Sequence, residues 1–439
     1  MVEAKIHICR NRCSFNCTIA YSKIIFERSF FLAFSSGTQL NIAALVSACR
    51  SGSGICGTGT DSFFHLDRFG FMTTFHRKSA LIFLFAASLM GSATAQQNSV
   101  QFMGAANAKV AKAAALKSKW DGPTSGPKLL HDKKIVFIAG DMSDAGTFGV
   151  FSGIKEAVNG AGWQVLSIDC RGRCNQSANV VQQALDMKPS GIVLAGVDAA
   201  SQTKGLTAAA VAKVPVVGWH ASFKAGPVPG LFTNITSDPK EAAQLASLYG
   251  AVESNNKTGI VVFTDTSNPY LATKSGAMVE VLKQCDTCRI LSIEDLPVME
   301  SRKKFAGVIE GLVKRHGSKW THIISINDIY FDWMDKPEIE SLLEANKLRG
   351  ISAGDGSTYA YKRIRKNDLQ VGTVPEPLAL HGWQIVDELN RAFSDAAPSG
   401  YHAPLHLVTQ QNINYDGGPK DMFDPSNDFR AKYSAYWGK

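Results

Sequence analysis

The chain has 439 residues, 45% hydrophobic and 19% charged, with 38 Gly, 16 Pro and 9 Cys, enough for two or three domains of ordinary size. This composition excludes a disordered chain, a coiled coil and a collagen-like repeat, and a mean hydropathy of −0.04 excludes a multi-span membrane protein. The formal charge of +8 is uneven: residues 1–95 hold nine Lys/Arg against four Asp/Glu, and the rest hold 37 against 34. A nearly neutral bulk argues against a phosphate-binding surface, so no nucleic-acid partner is expected.

In chain order, residues 1–71 contain five of the nine cysteines (Cys9, Cys13, Cys17, Cys49, Cys56) and no clear period. Residues 72–95 then read as a secretory signal: Met72, a basic His76-Arg77-Lys78, an apolar run from Ala80 to Met90, and Ala93-Thr94-Ala95 as a cleavage site. The expectation is a start at Met72, with 1–71 an upstream misreading or an extension, and a periplasmic product. In an oxidising compartment, Cys170 with Cys174 and Cys285 with Cys288 are expected to form two local disulfides rather than zinc or redox sites.

Residues 96–133 read as a lead helix and a turn-rich linker, WDGPTSGP at 120–127. Short apolar runs then alternate with helical spacing. Strands are expected at 134–140, 163–169, 191–196 and 214–219, with helices from Phe148 to Gly160, from Gln176 to Met187 and over 201–212. A second round starts after GLFTNITSD (230–238), with Asp238 capping a helix from Pro239 to Glu253. Strands follow at 259–265, 289–295, 322–328, 349–355, 370–377 and 406–413, separated by helices at 270–284, 302–316, 337–346 and Leu378 to Phe393. The fold class is α/β: two similar Rossmann-like lobes with parallel sheets, 134–235 plus 378–405 and 236–377 plus 406–439, joined by a three-stranded hinge. Ligands of such sheets bind outside the carboxyl ends of the strands. The candidate site is therefore the cleft between the lobes.

Those strand ends carry Asp141-Met142-Ser143, Trp219-His220, Asp265 with Asn268-Pro269-Tyr270, Asn327-Asp328, Asp355 and Pro375-Glu376. Carboxylates and amides pair with hydroxyls that both donate and accept, and rings such as Phe148, Trp219 and Tyr270 cover apolar CH faces. The pattern suits a small neutral polyol. Several residues keep a second reading: Asp141 and Asp198 as caps, Trp219 as core, and Tyr330, Phe331 and Trp333 as helix packing. No G-x-S-x-G, H-E-x-x-H or P-loop motif is present, so neither an enzyme nor a cofactor or metal is expected.

The segment IVFIAGDMSDAGTFGVFSGIKEAVNGAGWQVLSID, with GIVLAGVDA, VPVVGWH, SIND and SAGD at later strand ends, resembles the periplasmic sugar-binding proteins of the ribose/galactose type. Their fold also serves lactose-repressor-type regulators. The resemblance runs from about Lys134 to about Ile413. It implies a monomeric solute receptor that closes on a sugar or polyol and serves an ABC importer permease in the inner membrane. It also implies ligand contacts from Asn327, Asp355 and Phe148. His220 stands in place of the family's Asp, Glu376 near its hinge Gln, and Lys274 in place of a missing Arg. A sugar-responsive regulator would need a helix-turn-helix ahead of residue 134, for which 96–133 is too short. A chemotaxis or sensor receptor of the same fold stays open.

Overall fold

The computed structural model describes residues 99–439, apart from 117, 118, 175, 176, 178, 256, 268, 335, 336 and 346. The signal-like segment, the residues upstream of it and their cysteines lie outside the described residues, as does Asn268. Among the described residues, no helix is long and apolar enough to cross a membrane.

Helix α1 (99–113) precedes the first lobe, which is built from β1 (Lys134–Ala139), α2 (Ala145–Ala157), β2 (Gln164–Asp169), α3 (Val180–Asp186), β3 (Gly191–Ala195), α4 (Thr203–Val211), β4 (Val216–Trp219), β5 (Gly226–Val228) and β6 (Leu231–Ile235). The second lobe takes α5 (Pro239–Glu253), β7 (Thr258–Thr264), α6 (Pro269–Leu282), β8 (Cys288–Asp295), α7 (Val298–His316), β9 (His322–Ser325), α8 (Ile329–Asp332), α9 (Pro337–Ala345), β10 (Arg349–Ser352), α10 (Thr358–Lys366) and β11 (Gln370–Thr373). The chain ends with α11 (Leu378–Phe393), β12 (Val408–Thr409) and α12 (Phe429–Trp437).

Two six-stranded sheets result, ordered β2-β1-β3-β4-β6-β5 and β12-β11-β10-β9-β7-β8. Neighbours are parallel except for the pairs β5–β6 and β11–β12. Helices cover both faces of the first sheet. Ile135, Phe137 and Ala139 of β1 enter a core with α2 and α11, while Val136 and Ile138 enter another with α3 and α4. Burial on both faces is why that strand reads as an unbroken apolar run rather than an alternation. Each sheet reverses its strand order beside its first strand, between β1 and β3 and between β7 and β9, the switch points where such sheets open a crevice.

Four features depart from the sequence reading. The stretch read as the entry to the second round is a hairpin, β5–β6, on the edge of the first sheet. The Asn234 side chain holds it, accepting from Ala221 N (3.1 Å) and donating to the carbonyls of Ser222 (3.0 Å) and Lys224 (2.8 Å). The strand expected over 406–413 is only Val408–Thr409. Asn412 folds its side chain back to accept from Thr409 N (2.8 Å) and donate to Leu407 O (2.7 Å), which turns the chain.

The lead helix is not separate from the lobes: α1 buries Ala106 and Val110 in the second lobe's core. The linker after it places Trp120 against Tyr401 and Tyr433 in the first. Lastly, the tail beyond 406 does not all belong to the second lobe. Ile413 and Phe423 pack there, but Phe429, Tyr433 and Trp437 of α12 enter the first lobe's core. Trp437 stacks on Trp383 at 5.4 Å and its indole N–H donates to Asp387 (2.9 Å). The chain therefore passes between the lobes not only at the three expected places, near 236–238, 374–377 and 403–405, but also after α1 and before α12.

Candidate functional site

At the carboxyl end of β1, the loop into α2 supplies the first lobe's share of the cleft. Asp141 Oδ1 accepts from Ser143 N (2.8 Å) and Ser143 Oγ (2.6 Å), so these two predicted site residues pair with each other. Asp144, which the sequence reading passed over, caps α2 by accepting from Thr147 N (2.8 Å) and Thr147 Oγ1 (2.9 Å) through Oδ2. Burial and the neighbouring Asp141 raise the Asp144 carboxyl above its ordinary range. Phe148, one turn on, is 55% exposed, so no packed wall forms around its ring in this structure.

Trp219 and His220 end β4. Trp219 is buried in the first lobe's core and its indole N–H donates to His381 Nδ1 (3.1 Å). It therefore backs the cleft instead of presenting an open ring. His381 on α11, also missed in the sequence, is held neutral: burial lowers it to about 3. His220 takes a left-handed backbone (φ 49°) that aims its ring across the cleft, 5.3 Å edge-on from Tyr270 of the second lobe. Burial lowers its pKa well below the ordinary value, so it too is neutral.

The second lobe answers with Tyr270, Lys274, Asn327 and Asp355. Lys274 of α6 is buried and donates to the carbonyls of Ala353 (2.6 Å) and Ile326 (3.3 Å), tying the ends of β10 and β9 together. Asn327 donates from Nδ2 to Asp355 Oδ2 (3.2 Å) and accepts from Ile329 N (2.9 Å). The Asp355 loop is shaped from beneath by Asp328. Asp328 is buried and accepts from Gln370 Nε2 (2.6 Å), Gly356 N (2.7 Å) and the Ser352 hydroxyl. Gly356 sits at φ 79°, where a side chain would be strained.

Asp355 reaches across to the first lobe. A Cβ on Gly146 would lie 3.4 Å from the Asp355 carboxyl carbon and 3.2 Å from the Trp219 ring, so the start of α2 packs close against both. Burial, then repulsion from Asp144, pushes Asp355 up to about 7. Glu376, in the second hinge passage, is 6% exposed; its Oε2 accepts from Ser237 Oγ (2.6 Å) in the first passage. Burial raises it as well.

The structure therefore brings together Trp219, His220, Tyr270, Lys274, Asn327, Asp355 and Glu376, and adds Asp144, Thr236, Ser237 and His381. The sequence signal for Asp144 and Ser237 was there, a polar residue at a helix start and one in a hinge, but each also fits a purely structural role. The predicted cysteine pairs also meet: Cα atoms are 5.1 Å apart for Cys170–Cys174 and 5.3 Å for Cys285–Cys288. Among the described residues, no cluster of three or more His, Cys, Asp or Glu could hold a metal ion.

Two α/β lobes thus face each other across polar strand ends. Residues 135–393 match the family model described as a periplasmic binding protein domain. The chain belongs to that family, which consists of periplasmic binding proteins rather than enzymes. A search of curated proteins finds no match. Among solved structures, a sugar ABC transporter protein from Yersinia enterocolitica subsp. enterocolitica 8081 is similar at 17% identity and TM-score 0.59, covering 72% of this chain and 99% of that one. An ABC transporter solute-binding protein from Agrobacterium vitis with bound allitol aligns at 18% and 0.54, covering 64% and 97%. One from Burkholderia graminis C4D1M in complex with D-arabinose aligns at 13% and 0.56, covering 65% and 98%. At these identities the likeness establishes the fold: two lobes, each an α/β sheet.

Proposed function

We propose that the protein is exported and captures a sugar or polyol in the interlobe cleft for delivery to an ABC importer in the inner membrane. The observation that carries this reading is the convergence of Asp144 and His220 from one lobe with Tyr270, Asn327 and Asp355 from the other. Groups from both lobes around one small space reward closure, because a guest that touches both binds the closed form better than the open one. Aromatic edges and carboxylates side by side fit alternating CH and OH faces. The relatives crystallised with allitol and D-arabinose support the ligand class.

A thermal-shift screen of the purified protein against sugars, alditols, amino sugars and sugar acids tests it. A ligand at a thousand times its Kd adds about 4.1 kcal/mol to stability, which moves the melting temperature by several degrees. No shift with any member of these classes would refute the reading. For export, the expected outcome is a periplasmic product whose N-terminal sequence begins after Ala95.

A further inference from the structure

The proton count around Glu376 is unusual. With the Thr236 hydroxyl donating to Ser237 O (3.0 Å), its oxygen accepts from His220 Nδ1 at 3.3 Å in the tautomer that carries its proton there. A neutral imidazole that donates from Nδ1 carries a bare lone pair on Nε2. His220 Nε2 is buried without a hydrogen-bond partner and faces Glu376 Oε1 at 3.8 Å, another acceptor and too distant to bond. On the other side, His381 Nδ1 already accepts from Trp219 and lies 3.7 Å from Glu376 Oε2. Four acceptor atoms thus crowd one spot; Oε2 has a donor in Ser237 and His381 Nδ1 has one in Trp219, while Oε1 and His220 Nε2 have none among the described residues.

The wider cleft has the same imbalance. Asp144, Asp355 and Glu376 carry three carboxylates, and Lys274 is the cation that acts on all three. Its ammonium is already committed to two backbone carbonyls. The N-terminus of α2 adds roughly half a positive charge. A carboxylic guest would add a fourth anion. A hydroxyl has one proton and can serve either Glu376 Oε1 or His220 Nε2, but not both, whereas an ammonium serves both at once and offsets charge.

We propose that the cleft is built for an aminated guest, an amino sugar or amino-polyol whose ammonium donates to Glu376 Oε1 and His220 Nε2 while its hydroxyls meet Asp355 and Asn327. This rests on the interlobe-cleft reading above and sharpens its ligand class.

The test is calorimetric titration of the intact purified protein with matched sets of pentoses, hexoses and alditols: the hydroxyl parent, its primary-amine counterpart, its N-acetyl form and its acid. The expected result is that an amine member binds at least about tenfold tighter than its hydroxyl parent and its N-acetyl form, as one charge-assisted buried hydrogen bond predicts. Glu376→Gln should bring the amine-to-parent affinity ratio to within about threefold, whatever it does to the absolute affinities; its melting temperature without ligand reports that it still folds. Hydroxyl parents binding as well as the amines, acids binding best, or an amine preference that survives Glu376→Gln would overturn the inference and leave the cleft reading intact. Heat and melting signals that stay flat for every member of every set would remove the sugar or polyol reading itself, and this inference with it.

Discussion

Glu253, half-buried, and Glu376, buried, are glutamates in or beside the second lobe, and their surroundings are opposite. Glu253, at the end of α5, accepts from His322 Nε2 (2.8 Å) and Arg349 Nε (2.9 Å), and those partners hold its carboxyl below the ordinary range. Glu376 has one hydroxyl donor and two imidazole rings at 3.8 and 3.7 Å, and burial pushes it up. Asp416, with His406 and Ser426, repeats the first pattern; Asp355, with Asp144 opposite, repeats the second. Buried acids that the chain itself completes belong to the scaffold. Buried acids left short of donors, Asp355 and Glu376 among the described residues, lie where the two lobes face each other.

The comparison can be broken at several points. The largest effect is expected where scaffold packing is densest. Trp437→Ala deletes one of two stacked indoles and the bond to Asp387, and should cost about 3–5 kcal/mol by urea denaturation. A loss below about 1 kcal/mol would mean that α12 is an appendage rather than part of the first lobe.

Next come the two glutamates themselves. Glu253→Gln leaves His322 and Arg349 short of a charge and should destabilise by about 1–3 kcal/mol. Glu376→Gln, without ligand, should leave stability unchanged or raise it, because the carboxylate it removes is one that burial disfavours. Equal losses in the two variants would erase the distinction drawn above.

The pH dependence separates them further. The folded state holds the Asp355 proton more tightly than the unfolded chain, so its contribution is present at low pH and is lost as pH rises from 3.8 toward about 7. Glu253 works the other way: its contribution is present at neutral pH and lost as pH falls below 4.5. His381, lowered from 6.5 to about 3, also loses stability on acidification, so each effect is read as a difference from the parent protein. Asp355→Asn should flatten the difference above about pH 4, and Glu253→Gln below it. Chemical denaturation across pH 3–8 checks both; no change in slope on the expected side would contradict the assignment.

The smallest effect should fall on the solvated face. Lys304 pairs with Glu300 one turn away on α7, and both side chains are more than half exposed. Lys304→Ala should change stability by no more than about 0.5 kcal/mol, a baseline for the others in the same denaturation series.

Much of this was legible in the residues. Apolar runs such as KIVFIA and GIVLA announced buried parallel strands, and Asp238-Pro239 fixed the start of α5 to the residue. The strand-end rule pointed to His220, Tyr270, Asn327, Asp355 and Glu376. It failed for Phe148, which turns out to solvent, and for the Asp141–Ser143 pair, which close on each other. Position along a strand does not specify where a side chain points in a loop. Local periodicity also missed α12, whose aromatic residues matter only because Trp120, Trp383 and Tyr401 arrive from distant parts of the chain to meet them.

The sequence by itself determined the α/β alternation, the two lobes and the crevice between them, because strand and helix periods and turn residues act over a few neighbours. Only the tertiary structure decided which acids are satisfied and which are left open. Glu253 and Glu376 are the same residue type, and no local pattern distinguishes them. What separates them is which groups folding brings alongside: His322 and Arg349 for Glu253, the Ser237 hydroxyl and the rings of His220 and His381 for Glu376.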